Sequence, residues 1–253
     1  MMEKYDPAMY TPDDRIEGYR AAADMLVHIA ERCGVEVDET TRTRWHDAMG
    51  LLREFDTFVD EECQEQRVAM ATLRDFSLFA PRYPSLAPEA LGGSVFETAL
   101  ERVETILEVG NQIAEETDPD SFIELRKAEA YYTTTLLEIF ATPAVRDQAG
   151  FNECMWRFTG LGIGGNLIDS LLDARWDYVR GETRLKPTLA FYRSLGKDAV
   201  GHMRPHLYTI LDKEGLKLRA KGMGHRVMHR LTHGITPHSN LHIMESLWRR
   251  HPK

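Results

Sequence analysis

The stretch Ile16-Glu-Gly-Tyr19-Arg-Ala-Ala-Ala23-Asp-Met-Leu26-Val-His-Ile-Ala30-Glu-Arg-Cys33-Gly34 repeats its apolar residues on a helical period. Ile16, Tyr19, Ala23, Leu26, Ala30 and Cys33 step by three and four, which sets them along one side of a helix. Gly34 supplies the residue at which such a helix stops. The period continues outward. A second segment starts near Glu39 and runs past Phe76, with Trp45, Met49, Leu52, Phe55, Val59 and Cys63 as its stripe. After a loop containing Pro81, Pro84, Pro88, Gly92 and Gly93, Ser94 is placed to cap a helix reaching about Glu116. Asp118 or Asp120 caps the next, to Phe140, and Thr142-Pro143 opens another with proline in its first turn. Four glycines, Gly160, Gly162, Gly164 and Gly165, predict two helices meeting near Gly164. Pro187 starts a helix to about Gly215, and one or two basic helices finish the chain. No alternating run of β-branched residues bounded by turns is present. The reading is all-α: a single-domain helical bundle, residues 1–253, of about eight helices around a central cavity.

The chain has 253 residues, 43% hydrophobic and 28% charged, enough to bury a sizeable core. Such a composition excludes a collagen, a disulfide scaffold and a disordered chain. Phe158–Ile168 carries no charge, but as a helix it covers only about 17 Å against a bilayer core of about 30 Å. With no apolar stretch near the N-terminus and three widely spaced cysteines, the chain reads as cytoplasmic with reduced thiols. The net charge of −9 is uneven: residues 213–253 hold nine Lys/Arg and two Glu, so the remainder stands at −16. An acidic body does not suit nucleic acid. The basic segment 213–253 suits a phosphate, a peripheral membrane contact or the acidic body itself.

Two acidic clusters carry the chemistry. In Arg53-Glu-Phe-Asp56-Thr-Phe-Val-Asp60-Glu61-Glu62, Asp56 and Asp60 share one helical face about 6 Å apart. In Asn166-Leu-Ile-Asp169-Ser-Leu-Leu-Asp173-Ala-Arg-Trp-Asp177, the carboxylates recur at every fourth position. Hard oxygen donors of this kind suit Mg²⁺, which takes one or two carboxylates and completes its shell with phosphate and water. A pair of solvated acidic faces, matched by Lys and Arg, accounts for the same residues without chemistry. His225, His229, His233, His238 and His242 are helically spaced, but the Glu that a zinc helix needs is missing between them.

Arg53, Asp56, Asp60 and Glu61 resemble the first motif of the squalene/phytoene synthase family, with Thr57 in the place of its second Asp. Asp173-Ala-Arg-Trp-Asp177-Tyr-Val-Arg180-Gly181 resembles the second motif of that family, one of the class I isoprenoid synthases. The resemblance implies a helical bundle with the two motifs facing across a cavity and two or three Mg²⁺ ions held against a prenyl diphosphate. It implies catalytic and metal-binding roles for Asp56, Asp60, Asp173 and Asp177, with Glu61 and Asp169 as further metal ligands. Arg53, Arg126, Arg180 and Lys186 become candidates for the diphosphate. Phe55, Tyr131, Trp156, Phe158 and Trp176 become candidates for the cavity wall, where π faces steady a carbocation. Asp169 stands where the family has Asn, and the chain is short for a two-substrate condensation. Ionisation of one prenyl diphosphate, as in small terpene cyclases, is the first expectation. A head-to-head prenyl synthase and a non-catalytic bundle binding a partner or lipid are the alternatives. The cyclases' own second motif is half present, in Asn166 and Ser170.

Overall fold

A computed structural model describes residues 12–59 and 65–210, with side chains over 19–59 and 65–207. Within them the chain is helical and contains no strand. Its helices are α1 (Pro12–Arg32), α2 (Glu39–Thr57), α3 (Gln66–Asp75), α4 (Pro88–Leu91), α5 (Gly93–Glu115), α6 (Pro119–Phe140), α7 (Pro143–Arg146), α8 (Phe151–Arg180) and α9 (Leu189–Ile210). The all-α expectation holds.

The chain ends its helices where local chemistry says it should. Gly34 takes a positive φ of 74° just beyond α1. Asp38 caps α2 by accepting from the Thr41 amide at 2.6 Å, and it also accepts from the Thr142 hydroxyl at 2.5 Å. One carboxylate thus joins the start of α2 to the end of α6. Burial alone raises the pKa of Asp38, but the bonds from Thr142 and Thr41 win and hold it below its ordinary value. Asp118 caps α6 through the Ser121 amide at 2.8 Å.

Three expectations are corrected. The segment from Glu39 past Phe76 is not one helix: Glu65 is extended before α3, and Phe76 turns left-handed after it. Ser94 lies inside α5, which begins at Gly93 after the positive-φ Gly92. The glycines do not break α8, which runs unbroken for 30 residues. They let neighbouring helices come close instead. A Cβ at Gly160 runs into the His206 ring, one at Gly162 into the Thr134 methyl, and one at Gly164 into Met203 with the Ala199 carbonyl oxygen at 3.1 Å. Helix α8 therefore lies in near backbone contact with α6 and α9, and the four-residue glycine spacing is a packing surface. Residues 211–253, with the C-terminal histidines and the expected basic helices, lie outside the described residues.

The buried side chains form two clusters. The larger gathers α1, α2, α3, the first half of α5, the second half of α6 and the first half of α8, around Trp45, Phe76, Phe79 and Leu137. The Trp45 indole donates to the Leu137 carbonyl at 2.8 Å, so its ring is buried with its one donor satisfied. The smaller cluster gathers Val109, Ile113, Phe122, Ile123, Leu167, Ala174, Leu185, Phe191, Leu195 and Ala199. Helices α5, α6 and α8 cross from one to the other. A wholly apolar cavity of about 30 Å³ opens in the larger cluster between α2, α3, α5 and α6.

Candidate functional site

Helix α2 carries Arg53 and Asp56 at its last turns, and the Arg53 guanidinium donates to the Asp56 carboxylate at 2.6 Å. The spacing of three residues brings them onto one side. The same guanidinium lies over the Tyr19 ring of α1, 5.8 Å from its centroid. Tyr19 is thereby drawn into the acidic cluster. Burial, and after it the Asp56 charge, push its phenol up to about 12; Arg53 opposes them with its charge and a hydrogen bond, and Asp169 of α8 adds to the rise. One hydroxyl therefore senses carboxylates from both acidic clusters, which lie more than a hundred residues apart in sequence.

On α8, Asp169 is a strongly perturbed carboxylate. Burial, then the Asp173 charge, push it up to about 7, with Asp177 and Glu129 adding and Arg126 opposing. Arg126 and Glu129 project from α6 and pair at 3.0 Å. The Asn166 amide donates to the Arg126 carbonyl at 2.9 Å and to the Glu129 carboxylate at 3.0 Å, which locks α8 to α6 at this level. The Ser170 hydroxyl donates back to the Asn166 carbonyl at 3.0 Å. The Nε of Arg126 is buried and donates to no acceptor among the described residues. It is a positive group with a spare donor beside a row of carboxylates.

Further along α8, Asp177 accepts from Arg180 at 2.8 Å, and Arg180 also meets Glu182 at 2.9 Å. Gly181, left-handed at φ 78°, ends the helix there. Arg184 pairs with Glu115 at 2.6 Å, and its amide donates to the Ala114 carbonyl at 3.0 Å, pinning the turn to α5. Lys186 is exposed.

The sequence-predicted set therefore divides. Arg53 and Asp56 lie by Tyr19, whose phenol also feels Asp169; Asp169 in turn feels Arg126 and Glu129 of α6, and Asp173 and Asp177 follow along the same edge of α8. Asp60 and Glu61 lie outside the described residues. Among the aromatic candidates, Phe55 lines the apolar cavity. Phe158 is buried in the larger core, Trp176 is half-buried, and Tyr131 and Trp156 are exposed at 48% and 57%. The last two are at the surface, so they are not a cavity wall here; Trp156 instead packs edge-on against His206 at 4.4 Å. Tyr19 and Glu129 escaped the sequence reading. Tyr19 fits the apolar stripe of α1, and nothing in that stripe marks its hydroxyl as facing Arg53.

No three His, Cys, Asp or Glu among the described residues stand close enough to hold one ion. The donor chemistry fits Mg²⁺ all the same, since this ion takes one or two carboxylates and leaves the rest of its shell to phosphate and water. No family model, curated protein or solved structure matches the chain. The site is therefore judged on its own residues.

Proposed function

We propose that this chain is a Mg²⁺-dependent class I isoprenoid synthase that ionises a prenyl diphosphate and releases pyrophosphate. The observation that carries the reading is that the Tyr19 phenol, under the Arg53–Asp56 pair, also feels the charge of Asp169 in the second cluster. Two Asp-bearing helices whose charges reach one hydroxyl are close enough to act on a common diphosphate, whereas two unrelated acidic faces have no reason to share a neighbour. Asp56 on one side and Asp169, Asp173 and Asp177 on the other would hold Mg²⁺, which neutralises charge on the departing diphosphate. Arg126 offers its spare Nε to a diphosphate oxygen, and Arg53 and Arg180 sit next to carboxylates of each cluster. Positive groups fixed before the reaction stabilise the charge that develops on the leaving oxygens.

The test is pyrophosphate release from geranyl, farnesyl and geranylgeranyl diphosphate, and from a bicyclic twenty-carbon diphosphate, with and without Mg²⁺. A folded sample that turns over none of them overturns the reading. A product with the substrate's carbon count supports cyclisation, and a doubled carbon count supports head-to-head condensation. The pairing of Asp56 with Arg53 and of Asp177 with Arg180 favours a second reading, a non-catalytic bundle with ordinary matched acidic faces. On that reading Mg²⁺ with pyrophosphate leaves the melting temperature unchanged, whereas a ligand that binds only the native state raises it.

A further inference from the structure

Eight large hydrophobic side chains are exposed among the described residues, and four of them fall on the hairpin of α8 and α9: Tyr178 at 40%, Val179 at 67%, Leu189 at 67% and Val200 at 62%. The tip of the hairpin is also basic. From Arg175 to Lys197 it carries six Lys/Arg and two Asp/Glu, in a chain of net charge −9. Its two acids are already matched, Asp177 and Glu182 both by Arg180. Arg175, Lys186, Arg193 and Lys197 are exposed and make no ion pair among the described residues.

Helix α9 sorts these groups by face. Phe191, Leu195 and Ala199 are buried against α8, while Leu189, Arg193, Lys197 and Val200 recur at helical spacing on the outside. A charged-and-apolar outer face of this kind needs a surface that is negative at its rim and apolar beneath. Water satisfies the charges but not Leu189 and Val179. An anionic layer with hydrocarbon beneath it answers the four cations and the two aliphatic side chains together.

We propose that the α8–α9 hairpin docks on an anionic lipid surface, with Val179 and Leu189 entering the interface and Arg175, Lys186, Arg193 and Lys197 against the headgroups. Basic residues near such a surface each add attraction, and apolar side chains add insertion. This deepens the proposed function in one respect, since a prenyl diphosphate is itself an anionic amphiphile that gathers in membranes.

The experiment is flotation of the full chain with phosphatidylcholine vesicles, with and without phosphatidylglycerol, at low and high salt and without substrate. The wild type is expected to float only with phosphatidylglycerol and to be released by salt. The Val179→Asp/Leu189→Asp pair and the Arg193→Glu/Lys197→Glu pair should each cut the bound fraction at least about tenfold, with melting temperatures unchanged because these side chains are exposed. Wild-type flotation by either pair overturns the proposal and points to the basic segment 213–253. A wild type that stays down, or one that dimerises through these residues in the absence of lipid, overturns it too. Turnover of detergent-dispersed substrate separates the two ideas: activity without flotation removes the docking surface alone, and flotation without activity removes the enzyme reading alone.

Discussion

Asp169 carries the sharpest consequence of the site's electrostatics. Its carboxyl holds a proton more tightly in the folded chain, near 7, than in the unfolded chain, near 3.8. The unfolded state therefore releases that proton first as pH rises, so stability falls between about pH 4 and pH 7 and the loss is complete above. Asp169→Asn removes the titration. We expect the variant to match the wild type below about pH 4 and to melt higher at pH 8, by about 2–4 °C for each kcal/mol relieved. Melts across that range check it, and a gap that does not change with pH sinks it. Turnover should follow a different order. Asp173→Asn or Asp177→Asn is expected to lower it at least about a hundredfold, the scale of one lost electrostatic stabiliser, with Asp169→Asn milder. The Asp spacing made these carboxylates visible in the sequence, because period alone fixes which residues of one helix share a face. Tyr19 and Glu129 were not visible, because their roles depend on which helix each one's neighbour belongs to.

Among the elements, α8 separates what sequence pattern can say from what it cannot. Glycine at 160, 162, 164 and 165 has the composition of a break, and helix propensity alone predicts one. The helix persists because α6 and α9 press against it where side chains are missing, and packing outweighs about 1 kcal/mol of propensity per glycine. The glycines are not equivalent, however. Gly160 has the His206 ring in the place of its Cβ, whereas nothing lies within 4 Å of a Cβ at Gly165. Gly160→Ala should destabilise by about 1–3 kcal/mol through overpacking, and Gly165→Ala should stabilise by about 0.4–1 kcal/mol through the unfolded chain. Denaturant melts of the two single variants give opposite signs if this account is right. The ends of the helices were more legible. Gly34, Asp118 and Pro143 act where local chemistry puts them, because a cap needs only its own few residues. Ser94 misled for the opposite reason, since Gly92 had already turned the chain into α5. Asp38→Ala should cost about 1–2 kcal/mol, the upper range for a cap, because it also releases Thr142, just past α6, from the start of α2.

At the scale of the whole molecule, the two apolar clusters are stacked along the helices, and the polar network lies where they meet. Below it in α8 are Leu167 and Ala174 of the smaller cluster; before it are Cys154, Phe158 and Leu161 of the larger. Arg126, Glu129, Asn166 and Asp169 bind α6 to α8 at this level, and Tyr19 and Arg53 bring in α1 and α2. A diphosphate with Mg²⁺ gripped by both acidic clusters would tie α1 and α2 of the larger cluster to the parts of α6 and α8 that reach the smaller one. Hydrogen exchange should therefore slow together in α1, in the last turns of α2, in the middle of α6 and in the second half of α8 when Mg²⁺ and pyrophosphate are added. Such linked protection follows because opening any one helix then requires the ligand to leave. Protection confined to α8 would mean that the second cluster binds alone and that Asp56 and Arg53 are an ordinary surface pair. The Asp56→Ala variant separates the cases: under joint binding it loses the protection in α8 as well as in α2, although Asp56 lies on neither α6 nor α8.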